Sequence, residues 1–339
     1  MKPIALIFLL FFCYCEASNF RTLECEEMQY KGENVVYGSG VKCTLENGIT
    51  LTCRHAAVDK NLTQGTFSGG ATLEGVISSN VPFFLKANRV EADRNDAIVS
   101  LQAHDDVMVE CDDAYEISSD RMDVVFKNQD PSTSVIHLYA ESPLRPCEMR
   151  HENGDVVQGL QASVDVPAKK LTIEKAHGLI QIREGHHEKV EFSSNTLDYQ
   201  QDSGVIYLND EVIIRCKGIG VMCSDKAALY TDKDSGKPYQ LKLKGNVRVC
   251  NHFAESSEVG TPLDQYALAD SLQYEIASKQ MVLTAKKGRR VLFYDKANHV
   301  KVSAPKVLRD GEGKVKGFGD VKCTFAEQEL QELRKQFPL

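Results

Sequence analysis

Short runs of alternating polar and apolar positions fill this chain, and one six-residue cassette recurs among them. Each copy reads small, polar, polar, aliphatic, polar and then usually apolar, and a polar turn and a second β-rich run usually follow. The copies begin at Cys25, Ala87, Ser119, Ser194 and Ala269. Side chains alternate along a strand, so the fourth and sixth positions share one face. The cassette predicts repeated hairpins that build an extended sheet whose surface carries the function.

β-rich runs dominate the sequence as far as residue 325, and polar turns separate them. Val212-Ile213-Ile214 is typical of the strands, and Glu46-Asn47-Gly48 is typical of the turns. Closely spaced strands and turns of this kind predict an all-β fold. The last residues differ, because Ala326, Leu330, Leu333 and Phe337 follow a helical spacing with charged residues between them. This spacing predicts a short amphipathic helix over 326–339.

The first residues predict export. Lys2 precedes an unbroken apolar run over 4–12, and Cys15-Glu16-Ala17 is a suitable cleavage site. A run of this length is too short to span a bilayer, so 1–17 is interpreted as a cleaved signal peptide. A lipid anchor on Cys13 or Cys15 is the alternative, although bulky residues precede both cysteines.

Two modules are expected after the signal peptide. The polar, proline-containing stretch 128–155 is interpreted as a linker. It separates a first β module over 18–127 from a second over 156–325, which the C-terminal helix follows.

Nine cysteines remain after residue 17, and seven of them follow an aliphatic residue two places earlier. The seven are Cys25, Cys43, Cys53, Cys111, Cys216, Cys223 and Cys323. Positions i and i+2 of a strand face the same way, so these thiols are expected on the apolar face as small buried hydrophobes. Disulfides between neighbouring strands are the alternative for an exported protein. Cys147 and Cys250 break the pattern and are expected to be the exposed thiols.

Charge and motifs exclude several classes of function. The formal net charge of −8 argues against a nucleic-acid-binding protein. The sequence lacks a nucleophile elbow, a phosphate-binding loop, a dinucleotide fingerprint and a zincin motif. Acidic pairs such as Asp105-Asp106 fall at turns or strand ends, where solvated surface is the ordinary interpretation. We therefore expect no enzyme, no catalytic residues, no metal and no cofactor.

The cassette resembles the OstA-like family of periplasmic lipopolysaccharide-transport proteins of Gram-negative bacteria. The most similar stretches are the cassette at Ala269–Tyr274, followed by Lys279–Leu283, and Gly245-Asn246-Val247. Residues 314–321 are similar to the family's late hairpins, and the cassettes together cover most of residues 22–325. The chain departs from the family's soluble bridge protein in its greater length and its many cysteines.

The resemblance implies a fold, a cargo and partners. The fold would be a twisted, semi-open antiparallel β-jellyroll with an apolar interior. The chain would be a periplasmic bridge of the LptA type, carrying lipopolysaccharide from the inner-membrane exporter to the outer-membrane translocon. Its partners would join by β-strand edge pairing, and self-association stays open.

Aliphatic side chains of an open sheet could bury acyl chains. The candidate lipid-binding residues are Val107, Val109, Val212, Ile214, Val247 and Val249. These residues could equally fill a closed core. The main alternative function is therefore a structural or adhesive β-sheet protein of the cell envelope, built as a β-solenoid or sandwich without lipid. A carbohydrate-active enzyme is the third alternative, for which no credible acid pair is present.

Overall fold

A computed structural model describes most of the chain between Phe20 and Thr324. The described residues are 20–31, 35–45, 49–59, 63–77, 81–95, 98–111, 115–127, 130–152, 154–181, 189–216, 220–232, 237–251, 265–296 and 300–324. The expected signal peptide and the expected C-terminal helix lie outside these residues. All regular elements within the described ranges are β-strands.

The described residues form two compact units. The N-terminal unit comprises those up to Lys175 together with Gln200–Asp202, and the C-terminal unit comprises Ala176–Tyr199 and those from Ser203 onward. The strands of the N-terminal unit are β1 (Phe20–Glu24), β2 (Glu27–Lys31), β3 (Val35–Leu45), β4 (Thr50–Asp59), β5 (Gln64–Ile77), β6 (Val81–Asn95), β7 (Ile98–Cys111), β8 (Tyr115–Lys127), β9 (Asp130–Tyr139), β10 (Cys147–His151), β11 (Val156–Gly159), β12 (Gln161–Asp165) and β13 (Lys170–Glu174).

The C-terminal unit repeats this pattern of long and short strands. Its strands are β14 (His177–Gln181), β15 (Lys189–Ser193), β16 (Thr196–Gln200), β17 (Val205–Cys216), β18 (Gly220–Thr231), β19 (Pro238–Asn251), β20 (Gln265–Glu275), β21 (Gln280–Thr284), β22 (Val291–Asp295), β23 (Val300–Ala304), β24 (Lys306–Arg309), β25 (Val315–Phe318) and β26 (Lys322–Thr324). Gln200, the last residue of β16, belongs to the N-terminal unit.

Antiparallel hairpins connect the long strands in sequence order. In the N-terminal unit β3 to β8 pair one after another, and in the C-terminal unit β17 to β20 do the same. The predicted all-β fold of repeated antiparallel hairpins, of the β-jellyroll kind, is therefore confirmed.

The segment expected as a linker instead carries strands. Residues 128–155 contain β9 and β10, and both pair with β8. The prolines of this segment explain why a linker was predicted there. Pro131 lies at the start of β9, where a strand tolerates it, and Pro143 and Pro146 lie in the turn between the two strands.

Long strands bend at a two-residue break in their pairing, which we call a corner. In four strands both corner residues have positive φ, and the pairing register shifts at each of them. The four pairs are Gly69-Gly70 in β5, Asp105-Asp106 in β7, Asp210-Glu211 in β17 and Gly245-Asn246 in β19. Two successive left-handed residues turn the chain and re-aim the side chains beyond them, as a β-bulge does. Each such strand is therefore divided into two arms.

The recurring cassette marks the strand that faces a corner. Its second residue lies at a register break or between two short strands in all five copies, as at Asn88, Asp120 and Asp270. These polar side chains satisfy backbone groups there. Asp120 Oδ2 accepts the N–H of Glu141 at 2.7 Å, and Asp270 Oδ2 accepts that of Lys286 at 2.8 Å. The polar second position thus hydrogen-bonds the backbone at the bend, and the aliphatic fourth position packs in the core.

Burial of the fourth cassette position confirms the predicted face. Val90, Met122, Leu197 and Leu272 are all buried. Met28, in the first copy, is 43% exposed because it lies in β2, at the beginning of the N-terminal unit. Alternation of buried and half-buried residues on either side of each corner, as in β4, shows that each arm has one inward face.

Candidate functional site

An apolar cavity lies inside the C-terminal unit. Its volume is about 50 Å³. The lining side chains are aliphatic or aromatic, apart from one thiol, and come from six strands and one turn: Ile180, Val190, Phe192, Ile206, Leu208, Ile214, Cys216, Met222, Ala227, Leu229, Leu241, Tyr274 and Ile276. A cavity with such walls favours apolar contents over water.

The corners explain why these residues meet. Ile206 and Leu208 precede the corner of β17, whereas Ile214 and Cys216 follow it, and all four line the same cavity. The inward faces of the two arms of one strand therefore converge on one space. Tyr207, which lies between two lining residues, is 42% exposed on the opposite face. The alternation of side chains along β17 thus separates the cavity from the outer surface.

Only one of the six candidate lipid-binding residues, Ile214, lines this cavity. Val212, Val247 and Val249 are buried in the same unit but are not among its lining residues. Val109 is buried in the N-terminal unit, and Val107 is buried there as well and lines a second cavity. All six face the interior, and their proposed contact with lipid stays a prediction.

Most of the cavity was missed from sequence because its walls lie on both sides of the corners. Single apolar residues such as Ala227 or Ile276 carry no special pattern. The cassette could have identified Tyr274, because its sixth position shares a face with its fourth, and both Leu272 and Tyr274 are buried. The β-rich run after a cassette supplied a second signal, since Ile206 and Leu208 alternate with exposed Tyr207.

The cysteines confirm the predicted face in part and correct it in part. Cys43, Cys53, Cys216 and Cys223 are buried as expected, and Cys25 is half-buried. Cys147 and Cys250 were expected to be exposed, and this prediction is wrong, because each is 2% exposed. Cys323 was expected to be buried and is exposed. The eight cysteines whose side chains are described are thiols and not disulfides.

Strand ends account for these corrections. Cys147 begins β10 directly after a turn and faces Gly159 of β11, so its burial comes from pairing rather than from a local apolar pattern. Cys250 lies near the end of β19 and packs with Tyr266 and Tyr294. Cys323 lies in β26, which pairs with β23 at the end of the described chain. The pKa of the Cys147 thiol is raised to about 12, chiefly by burial.

No group of three or more His, Cys, Asp and Glu residues in the described part of the chain is placed to hold a metal ion. A helix of the length and apolarity needed to cross a membrane was not found among the described residues.

The fold and the cavity define an all-β protein of bent antiparallel hairpins with an apolar interior in its C-terminal unit. No protein-family model matches the sequence, and no curated protein matches it. Among solved structures, the chain is similar to LptH, the LptA-homologous periplasmic component of the lipopolysaccharide transport device of Pseudomonas aeruginosa. The match has a TM-score of 0.33 and 11% identity, and it covers 41% of this chain and 95% of LptH.

Proposed function

We propose that this chain is an exported lipid-binding protein that carries lipopolysaccharide between the two membranes of a Gram-negative envelope. The observation that carries the proposal is the apolar cavity between the arms of the C-terminal unit. Ile206 and Leu208 on one arm and Ile214 on the other supply a surface without directed polar contacts. The resemblance of the cassette to the OstA-like family supports the choice of cargo.

Acyl chains suit this cavity on energetic grounds. Burial of each methylene group is worth about 0.8 kcal/mol. Because that energy depends on area and not on direction, neighbouring positions along the arms would hold a chain about equally well. The volume of about 50 Å³ suits the end of one acyl chain, so a whole lipid requires the arms to separate.

Partners would join at the first and last strands. In the N-terminal unit β1 and β2 pair with β3, and in the C-terminal unit β25 and β26 pair with β24 and β23. The outer edge of such strands can accept a strand from another protein. In this proposal the inner-membrane exporter and the outer-membrane translocon add their strands there, and copies of the chain could add to one another.

The chain acts in the periplasm after removal of residues 1–17. It binds and passes lipid without catalysing a reaction and without a cofactor. An energy-coupled partner supplies the direction of transport.

Site-specific photo-crosslinking tests the proposal. A photoreactive phenylalanine analogue at Leu208 would place the probe in the cavity, and the same analogue at Tyr207 would place it on the outer face of the same strand. After expression in a Gram-negative host and irradiation, we expect a lipopolysaccharide adduct at Leu208 and none at Tyr207. Mass spectrometry of the adduct identifies the lipid.

Two results would count against the proposal. Absence of any lipid adduct at Leu208, in a variant that keeps the wild-type unfolding temperature, favours a structural or adhesive sheet with a closed core. Equal adducts at both positions would show lipid contact without a role for the cavity.

A further inference from the structure

A small group of buried side chains lies on the outer face of the C-terminal unit. Cys250, Tyr266 and Tyr294 come from β19, β20 and β22 and are 2%, 5% and 4% exposed. They pack together, and the half-buried Leu268 packs against them. We call these four residues the outer cluster.

Strand pairing places the outer cluster on the face opposite the apolar cavity. Met222 lines that cavity and is paired with Val249 of β19. Cys250 follows Val249 in the strand, so its side chain points to the other face. Tyr266 is directly opposite Cys250, and Tyr294 is directly opposite Tyr266. Residues directly opposite each other share a face, so all three side chains point outward.

Burial on this face requires a cover. Elsewhere the outer face is open, as at Tyr207, which is 42% exposed. Members of the outer cluster lie side by side on three strands, so they cannot cover one another from above. Among the described residues, no buried or half-buried hydrophobic side chain from outside these strands packs against the cluster. Its apolar cover therefore has to come from a part of the chain outside the described residues.

The last described strand ends beside the outer cluster. Thr324 of β26 is directly opposite Lys301 of β23, and Lys301 is directly opposite Tyr294. One row of paired residues therefore leads from Thr324 through Tyr294 to Cys250 on the outer face. Neighbouring strands are about 4.8 Å apart, so Tyr294 lies about 10 Å from Thr324 across the sheet, and Cys250 lies about 19 Å from it.

The sequence that follows Thr324 has the length and the pattern to cover this row. An apolar stripe at helical spacing is formed by Ala326, Leu330, Leu333 and Phe337. Because a helix rises about 1.5 Å per residue, this stripe is about 16 Å long. A helix that crosses the strands from Thr324 places Leu330 about 10 Å along the row, over Tyr294. It places Phe337 about 20 Å along the row, over Cys250.

Charge also favours this segment. Lys301 shares the outer face with Tyr294, on the side of the cluster where the segment begins. Glu327 and Glu329 lie in the first turns of the segment and flank its apolar stripe. A carboxylate beside a lysine helps to fix the register of two packed surfaces.

Residues 252–264 also border the outer cluster, because they connect Asn251 with Gln265. Their few apolar residues form no stripe of comparable length, and Pro262 lies among them. The pattern therefore favours the C-terminal segment as the cover.

We propose that the outer cluster is the docking site of the C-terminal segment 326–339 of the same chain, held as an amphipathic helix across β22, β20 and β19. The docked segment removes this part of the outer face from contact with partners. The inference does not depend on lipid transport, because it rests on packing within the C-terminal unit.

Disulfide crosslinking in the full mature chain tests the docking and its register. In a Cys323→Ser background, Phe337→Cys should form an intramolecular disulfide with the native Cys250 when oxidised glutathione is added. Ala326→Cys is the matched control, and it should stay uncrosslinked because it would lie about 15 Å from Cys250. Peptide mass spectrometry identifies the crosslinked pair and its yield.

Thiol labelling gives a second measurement. Removal of the C-terminal segment should speed modification of Cys250 about tenfold or more, because the thiol then reacts without prior opening of a cover. Leu333→Glu should act in the same direction, since it would bury a carboxylate against the outer cluster. Gln328→Glu adds the same charge on the opposite side of the helix and should leave the rate unchanged. Cys216, on the inner face, should stay protected in every variant that keeps the fold.

Two results would overturn the proposal. One is a crosslink yield for Phe337→Cys no higher than that for Ala326→Cys. The other is protection of Cys250 that persists after removal of the C-terminal segment, which would assign the cover to 252–264 instead. If the truncated chain also loses protection of Cys216, the crosslink in the full-length chain decides.

Discussion

At the scale of single residues, the side chains that depart from the local pattern are the most informative. Cys147 is buried, although no aliphatic residue lies two places before it. Cys323 is exposed, although the aliphatic Val321 lies two places before it. A sequence rule based on i and i+2 describes the middle of a strand. It fails at strand ends, where the partner strand decides which side is covered.

The thiols give a prediction that follows from burial. Burial raises the pKa of Cys43 and of Cys147 to about 12, so both hold their protons when an exposed thiol begins to ionise. In native protein a disulfide reagent should modify Cys323 first. Cys43 and Cys147 should stay unmodified between about pH 7 and about pH 9, since the thiolate is the reactive form.

Peptide mass spectrometry after timed labelling measures each cysteine separately. Unfolding in denaturant is the control, and there all thiols should react alike. If Cys147 reacts in the native protein as fast as Cys323, the pairing of β10 with β11 is not as described.

At the scale of strands, the corner is the element that repeats. Gly245 in β19 has φ of +81°, and a methyl group on it would lie 2.3 Å from Asp225 Oδ2. That carboxylate accepts both hydrogen bonds of the Asn246 amide group, at 3.1 and 3.0 Å. Gly70 in β5 has a similar φ of +88°, but a methyl group there would meet nothing within 4 Å.

Alanine substitutions at Gly70 and Gly245 distinguish the energetic cost of backbone strain from that of steric contact. Gly70→Ala should cost only the strain of a left-handed alanine, about 1–2 kcal/mol. Gly245→Ala should cost more, because Asp225 must also move and loses its bonds to Asn246. Urea unfolding measures both. If the two variants lose equal stability, the Asp225 contact has no energetic role at the corner.

Two lysines of like charge face each other on the exposed side of neighbouring strands in the C-terminal unit. Lys226 and Lys244 are directly opposite each other in β18 and β19, and both are exposed. Like charges in this position destabilise a sheet. Lys244→Glu should therefore raise the free energy of unfolding by ~0.2–1 kcal/mol. Added salt should shrink the gain, because screening weakens exposed pairs.

Lys316 offers a matched control for that charge reversal. It is exposed and lies opposite Leu308 rather than another charge. Lys316→Glu should leave the free energy of unfolding nearly unchanged. An equal gain in both variants would point to the overall charge of the unit instead of the cross-strand pair.

At the scale of the whole molecule, the class of fold could be predicted from the sequence, but the boundary between the two compact units could not. Alternation and turn residues were sufficient for antiparallel hairpins, because these signals are local. The linker was misplaced at 128–155, since prolines at a strand start and in a turn resemble those of a linker, and the two compact units divide near Lys175 instead. Long-range packing decides where a unit ends, and no local pattern records it.

The site was only partly predictable for a related reason. Ile214 was found because it lies in an obvious aliphatic strand. Ile206 and Leu208 reach the same cavity only because the corner at Asp210-Glu211 turns β17. Residues of two arms become neighbours through the corner, and the acidic pair that makes this corner looks like an ordinary turn in the sequence.

The choice between a lipid carrier and a closed structural sheet can be tested by filling the apolar cavity. Ala227 in β18 is 4% exposed and lines it, whereas the next residue, Ala228, does not. Ala227→Val adds two methyl groups to the cavity, and a β-branched residue suits a strand. Ala228→Val adds the same groups on the other face of the same strand.

If the cavity holds acyl chains, Ala227→Val should lower the amount of lipid that co-purifies, because the added methyl groups take the place of lipid. Freed of lipid, that variant should unfold at the wild-type temperature or above it, since the methyl groups fill empty volume. Ala228→Val should keep the wild-type lipid content, which quantitative mass spectrometry measures. Wild-type lipid content in Ala227→Val, together with a raised unfolding temperature, would identify the cavity as a packing void. The bent sheet would then be a closed structural core, and its strand edges and outer faces would be the surfaces left to explain its function.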